Sequence, residues 1–131
     1  MYLIDTDILI NHLRKVSAIN PQLLKAGMAI SIITLAELYY GVYRSDNPQS
    51  SLDKIDYALT TLNLEIINLD LDIIDQFAQL KSLLEQSGQR LEDFDLLIAS
   101  TALSYNLTLV TGNVKHYQRI NSLKIYQTPD V

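Results

Sequence analysis

Five short apolar runs, rich in β-branched and aromatic residues and separated by stretches of helical periodicity, constrain this chain more than any other feature of it. They are Tyr2 to Ile4, Met28 to Ile30, Leu64 to Asn68, Thr108 to Thr111 and Lys124 to Tyr126. Strands that alternate with helices are joined by crossovers rather than tight hairpins, and crossovers make parallel neighbours. The pattern therefore predicts an α/β fold: a mostly parallel sheet of about five strands, flanked by helices in a three-layer sandwich. After the first run, Ile8, Leu9, Leu13 and Val16 share a helical face. Pro21 opens a short helix that ends near Gly27, and further helices are predicted over Ile33 to Tyr43, about Gln49 to Leu62, Leu71 to Gln86, Phe94 to Tyr105 and around Lys115 to Ile120. Gly88 suits an αL cap on the long helix, and Asp93 an N-cap on the helix that begins at Phe94.

Length and composition bound the rest. A chain of 131 residues, 48% of them hydrophobic, can bury one ordinary core, so a single domain over residues 1–131 is predicted. There is no cysteine, which removes disulfides, zinc–thiolate sites, iron–sulfur clusters and cysteine nucleophiles together. Tyr2 to Ile4 is interrupted at once by Asp5 and Asp7, and no later run reaches the roughly 18 apolar residues of a membrane span. A cytoplasmic protein with no membrane association is expected. A net charge of −5 argues against coating nucleic acid with a broad basic surface, while leaving room for local contacts.

In open parallel sheets, functional groups gather past the C-terminal ends of strands. Asp5 ends the first strand, Glu37 sits early in the helix after the second, Asp95 opens the helix before the fourth, and Asn113 follows the fourth. Converging, they would form a hard-oxygen site suited to Mg²⁺ or Mn²⁺. Each also has an ordinary structural role open to it. Asp5 and Asp7 can cap a helix, Thr34-Leu35-Ala36-Glu37 matches a capping box, and Asn113 can support the turn after Gly112 in αL geometry. His12 and His116 read as surface histidines, and Tyr39, Tyr40 and Tyr43 as a packing or dimer face.

Four blocks in one order resemble the PIN domain family, and within it the small VapC-type ribonuclease toxins of type II toxin–antitoxin pairs. They are Tyr2-Leu3-Ile4-Asp5-Thr6-Asp7, Thr34-Leu35-Ala36-Glu37-Leu38-Tyr39-Tyr40-Gly41, Phe94-Asp95-Leu96-Leu97-Ile98-Ala99 and Leu109-Val110-Thr111-Gly112-Asn113. The resemblance implies a metal-dependent endoribonuclease in which Asp5, Glu37 and Asp95 hold Mg²⁺ or Mn²⁺, with Asp93 as a further candidate ligand. Thr6 and Thr111 match polar positions that steady the site. Asn113 stands where many members carry Asp, which leaves a second metal open. It also implies a homodimer and a VapB-like antitoxin whose arm covers the cleft, docking near Tyr39 to Tyr43 and the apolar face of Ile55, Leu59 and Leu62. RNA would meet Arg14, Lys15, Arg44, Lys115 and Arg119 at the rim.

Two other readings compete. Asp5-Thr6-Asp7 after an apolar strand also resembles the D-x-D start of haloacid dehalogenase-like phosphatases, in which the first Asp is a nucleophile. Asn113 alternatively fits a non-catalytic PIN scaffold that binds protein or RNA without cutting it.

Overall fold

A computed structural model describes residues 1–127. Five strands, β1 (Tyr2–Ile4), β2 (Met28–Ser31), β3 (Glu65–Ile67), β4 (Thr108–Thr111) and β5 (Ile125–Gln127), form one sheet in the order β3-β2-β1-β4-β5. Every neighbouring pair is parallel, with Leu3 opposite both Ala29 and Leu109. Seven helices make the connections: α1 (Thr6–Leu13), α2 (Pro21–Ala26), α3 (Ile32–Tyr43), α4 (Pro48–Thr61), α5 (Leu71–Gln86), α6 (Asp93–Ser104) and α7 (Val114–Tyr117).

Side chains alternate across a strand, so a parallel sheet needs apolar residues at successive positions to cover both faces. Leu3 and Leu109 enter one apolar cluster with Leu80, Leu84, Leu96, Ile98 and Tyr117, which packs α5, α6 and α7 on one face. Ile4 and Val110 enter another with Leu9, Leu23, Leu38, Val42, Ile55 and Leu62, which packs α1 to α4 on the other. Each fully buried aliphatic side chain is worth about 1.5–3 kcal/mol, so the central strands anchor both layers.

The helix ends carry much of the punctuation expected of them. Pro21 and Pro48 open α2 and α4 behind the N-caps Asn20 and Asn47. Past α5, Gly88 has φ +70°, its N–H donates to Glu85 O, and Gln89 N–H reaches back to Leu84 O. That is a Schellman closure.

Other ends differ from expectation. α1 stops at Leu13 because Lys15 turns to φ +58°, which leaves Val16 exposed rather than on the helix face. Helix α6 begins one residue early, so Glu92 takes the N-cap position and makes no side-chain cap bond, while Asp93 lies in the first turn and pairs with Lys81. The Thr34–Glu37 capping box does not form. Ser31 caps α3 by accepting from Ile33 N–H, which places Thr34 inside the helix.

Candidate active site

Strand order reverses at β1 and β4: the chain first builds outward through β2 and β3, then crosses to β4 and β5. Their carboxyl ends diverge there, and such a switch point is where open α/β sheets form a crevice. Asp5 is the residue after β1 and Thr111 the last of β4, so sheet topology alone brings together residues 106 positions apart.

Asp5 is only 3% exposed, and its carboxylate is surrounded by donors. Thr6 N–H donates to Oδ1 at 2.9 Å and the Thr111 hydroxyl to Oδ2 at 2.7 Å. The Thr111 oxygen in turn accepts from Asn113 N–H at 3.0 Å, which leaves its single proton to point at Asp5. Burial raises the Asp5 carboxyl to about 7, nearby Asp7 and Asp95 push it the same way, and the bonds from Thr111 and Thr6 oppose them.

Asp7, half-buried, accepts from Gly112 N–H at 3.1 Å and from Ile8 N–H at 2.8 Å, so it ties α1 to the turn after β4. Burial raises its carboxyl as well. Asp95 is raised by burial against the opposing influence of the Tyr117 hydroxyl and His116. Tyr117 is fully buried, with its hydroxyl 3.4 Å from Oδ1 of both Asp5 and Asp95.

Glu37 reaches the cluster through Thr6. The Thr6 hydroxyl donates to Glu37 Oε1 at 2.7 Å and lies 3.0 Å from the buried Thr34 hydroxyl. Asp93 Oδ1 accepts from Lys81 Nζ at 2.8 Å, an ion pair that occupies one oxygen of the expected further ligand. Asn113 is exposed, with φ −94° rather than αL geometry, and it joins the network through its backbone N–H.

The basic residues divide. Arg119 lines a groove of about 320 Å³ together with Lys81, Arg90, Leu91, Glu92, Asp93, Asp95 and His116. Its guanidinium donates to Arg90 O at 2.7 Å. Lys115 is exposed on the neighbouring α7. Arg14 and Lys15 follow the far end of α1, about 12 Å of helix from Asp5. Arg44 caps the C-terminal end of α3 and stacks over the Tyr40 ring at 5.5 Å. These last three are not among the residues lining that groove.

Tyr39, Tyr40 and Tyr43 are exposed, but Ile55 and Leu62 are buried and Leu59 packs against them, so that face of α4 belongs to the protein's own core. Sequence reasoning missed Tyr117, His116, Lys81 and Arg90. Of these, His116 offered a signal: it lies three residues past Asn113, on the segment that follows β4.

Carboxylates whose proton affinity is raised first by burial and further by neighbouring acids are the donor set that a hard divalent cation relieves. Among the described residues no three His, Cys, Asp or Glu side chains are gathered tightly enough to hold a metal by themselves. Asp5 and Asp95, drawn to one Tyr117 hydroxyl, offer the one or two carboxylates that an ion of the Mg²⁺ class usually takes while keeping several waters.

A PIN domain profile matches residues 2–121. The chain belongs to the PIN domain family. Ribonuclease VapC2 of Rickettsia felis is 43% identical over 96 residues, covering 73% of this chain and 70% of its own. Ribonuclease VapC1 of Methanocaldococcus jannaschii is 36% identical over 126 residues, covering 95% of this chain and 85% of its own. The crystal structure of VapBC2 from Rickettsia felis bound to a DNA fragment from their promoter superposes with a TM-score of 0.89 at 35% identity, covering 97% of this chain and 98% of that one. These likenesses place the PIN domain in the VapC branch and set aside the haloacid dehalogenase-like reading. No helix among the described residues is long and apolar enough to cross a membrane.

Proposed function

We propose that this PIN domain is a VapC-type toxin: a metal-dependent endoribonuclease that hydrolyses RNA phosphodiester bonds in the Asp5–Asp95 cleft and is held inactive by a cognate antitoxin. The observation that carries the reading is the buried Asp5 carboxylate, bonded by Thr111 and Thr6 and facing Asp95 across the switch point of the sheet. Names of the relatives support the activity, both being ribonucleases.

In this reading Asp5 and Asp95 hold Mg²⁺ or Mn²⁺, which when bound supplies Lewis acidity to the attacking water and to the phosphoryl oxygens. Glu37, oriented by the Thr6 hydroxyl, positions the water. Thr111 keeps Asp5 in place, and Asn113 keeps Thr111 in place through its backbone. The four acids Asp5, Asp7, Glu37 and Asp95 repel a polyanion without the ion. Contact with the RNA backbone then falls to Arg119, Arg90, Lys81 and His116 along the groove beside Asp95, with Lys115 next to them.

The same reading makes the protein a cytoplasmic homodimer that binds a VapB-like antitoxin. The exposed side chains of Tyr40 and Tyr43, at 65% and 77% exposure, are the docking surface it assigns on α3. Support comes from the Rickettsia felis structure, a VapBC pair.

Incubating purified protein, freed of any partner, with total RNA tests the activity. Discrete fragments are expected with Mg²⁺ or Mn²⁺ and none with EDTA or in Asp95→Asn, whose circular dichroism should stay native. Cleavage by Asp95→Asn would sink the assignment. Intact RNA in every lane, from folded protein that binds Mn²⁺, would favour a non-catalytic scaffold.

A further inference from the structure

Tyr117 heads the fully buried side chains by volume, and its ring packs in the apolar cluster of Leu3, Leu96 and Ile98. A phenylalanine would fill the same space without burying a hydroxyl, a group that is costly to bury when it lacks a partner. The tyrosine oxygen therefore calls for a reason beyond packing. Its partners are the two carboxylates of the cleft: Asp5 Oδ1 and Asp95 Oδ1, at 3.4 Å each.

These three groups come from separate elements. Asp5 follows β1, Asp95 lies in the first turn of α6, and Tyr117 ends α7. A phenol has one proton, so standing equally far from both oxygens it donates to either carboxylate in turn. Asp5 has Thr6 N–H and the Thr111 hydroxyl as well. For Asp95, the Tyr117 hydroxyl is the one hydrogen-bond donor to its carboxylate among the described residues. Loss of the hydroxyl would free Asp95 while leaving Asp5 largely held.

We propose that Tyr117 is a positioning residue for the divalent cation, its hydroxyl bridging Asp5 and Asp95 from the core side and fixing how the two carboxylates face the ion. This rests on the metal-site reading above. It assigns the buried tyrosine to the part that partners of ligating carboxylates play in metal sites, where their loss commonly weakens metal affinity 10- to 100-fold.

The test compares wild type and Tyr117→Phe, both stripped with EDTA, exchanged into chelator-free buffer and titrated with Mn²⁺. Electron paramagnetic resonance of the free ion gives the bound fraction without any RNA. The expected result is a melting temperature in EDTA within a few degrees of wild type, since the ring is retained, with Mn²⁺ affinity roughly tenfold weaker. A second readout is spectroscopic, and its first arm uses wild type alone. Mn²⁺ should perturb the near-ultraviolet tyrosine absorbance of wild type, and that difference band should vanish in Tyr117→Phe although the other seven tyrosines remain. Equal Mn²⁺ affinity in the two proteins overturns the proposal, as does a wild type whose tyrosine spectrum ignores bound Mn²⁺. Wild type that binds no Mn²⁺ overturns the metal-site reading itself, and the positioning role with it.

Discussion

A carboxylate buried at 3% exposure beside two others is a place where stability has been given up for chemistry. With the Asp5 carboxyl raised to about 7 from an ordinary 3.8, the folded chain keeps a proton there between roughly pH 4 and 7 that the unfolded chain releases. Stability of the metal-free protein should therefore fall as pH climbs through that window and level off above it. The raised Asp7 and Asp95 add in the same direction. Asp5→Asn removes the buried charge, so in EDTA at pH 8 it should melt higher than wild type by roughly 5 °C or more, with the difference shrinking towards zero near pH 4. Thermal melts across pH check this, and a gap that fails to narrow at low pH would contradict it. Asp5, Glu37 and Asp95 stood out in the sequence as candidates because each acid follows or interrupts an apolar pattern. Tyr117 was not, since an aromatic in a short helix looks like any core residue, and its partner Asp5 lies 112 positions away. Asp7 read as a cap for the same reason: its bond to Gly112 spans 105 positions.

Elements were more legible than their ends. Strand runs and helical faces repeat a local period that survives any tertiary arrangement, so each of the five strands and seven helices has its counterpart in the pattern, although α7 runs over Val114–Tyr117 rather than Lys115 to Ile120. Caps depend on competition between adjacent candidates, and tertiary partners decide it. Asp93 lost the N-cap of α6 to Glu92 while pairing with Lys81 of α5, and Thr34 turned inward to Thr6 while Ser31 took the cap of α3. Helix α3 also retains a glycine in its interior. Gly41 is exposed and a Cβ added there meets nothing within 4 Å, so backbone freedom in the unfolded chain is its main energetic effect. Gly41→Ala should stabilise the protein by about 0.5–1 kcal/mol, read as a shift in the urea midpoint at unchanged slope. A loss of stability would instead mean that α3 packs against something at that position.

At the scale of the molecule, the order β3-β2-β1-β4-β5 places the acids where two separately packed layers meet. Asp5 joins β1 to α1 in the layer of α1 to α4, whereas Asp95 and Tyr117 belong to the layer of α6 and α7. Sequence periodicity predicted the parallel sheet, but not which strands adjoin, and so it could not say that Asp5 and Thr111 would touch. A cation held by Asp5 and Asp95 would link both layers, so it should raise the melting temperature of the whole protein rather than order one loop. At a hundredfold excess over Kd, ligand binding adds about 2.7 kcal/mol, roughly 10 °C for a chain of this length. Mn²⁺ at pH 8 should therefore produce a shift of this size in wild type, EDTA should reverse it, and Asp95→Asn should lose most of it. The shift should also be smaller at pH 5, because protons compete with the ion for the same buried carboxylates. Differential scanning calorimetry at the two pH values decides the matter. A shift that survives intact in Asp95→Asn would place the ion elsewhere, and one equally large at pH 5 would mean that its ligands are not the carboxylates whose protonation burial favours.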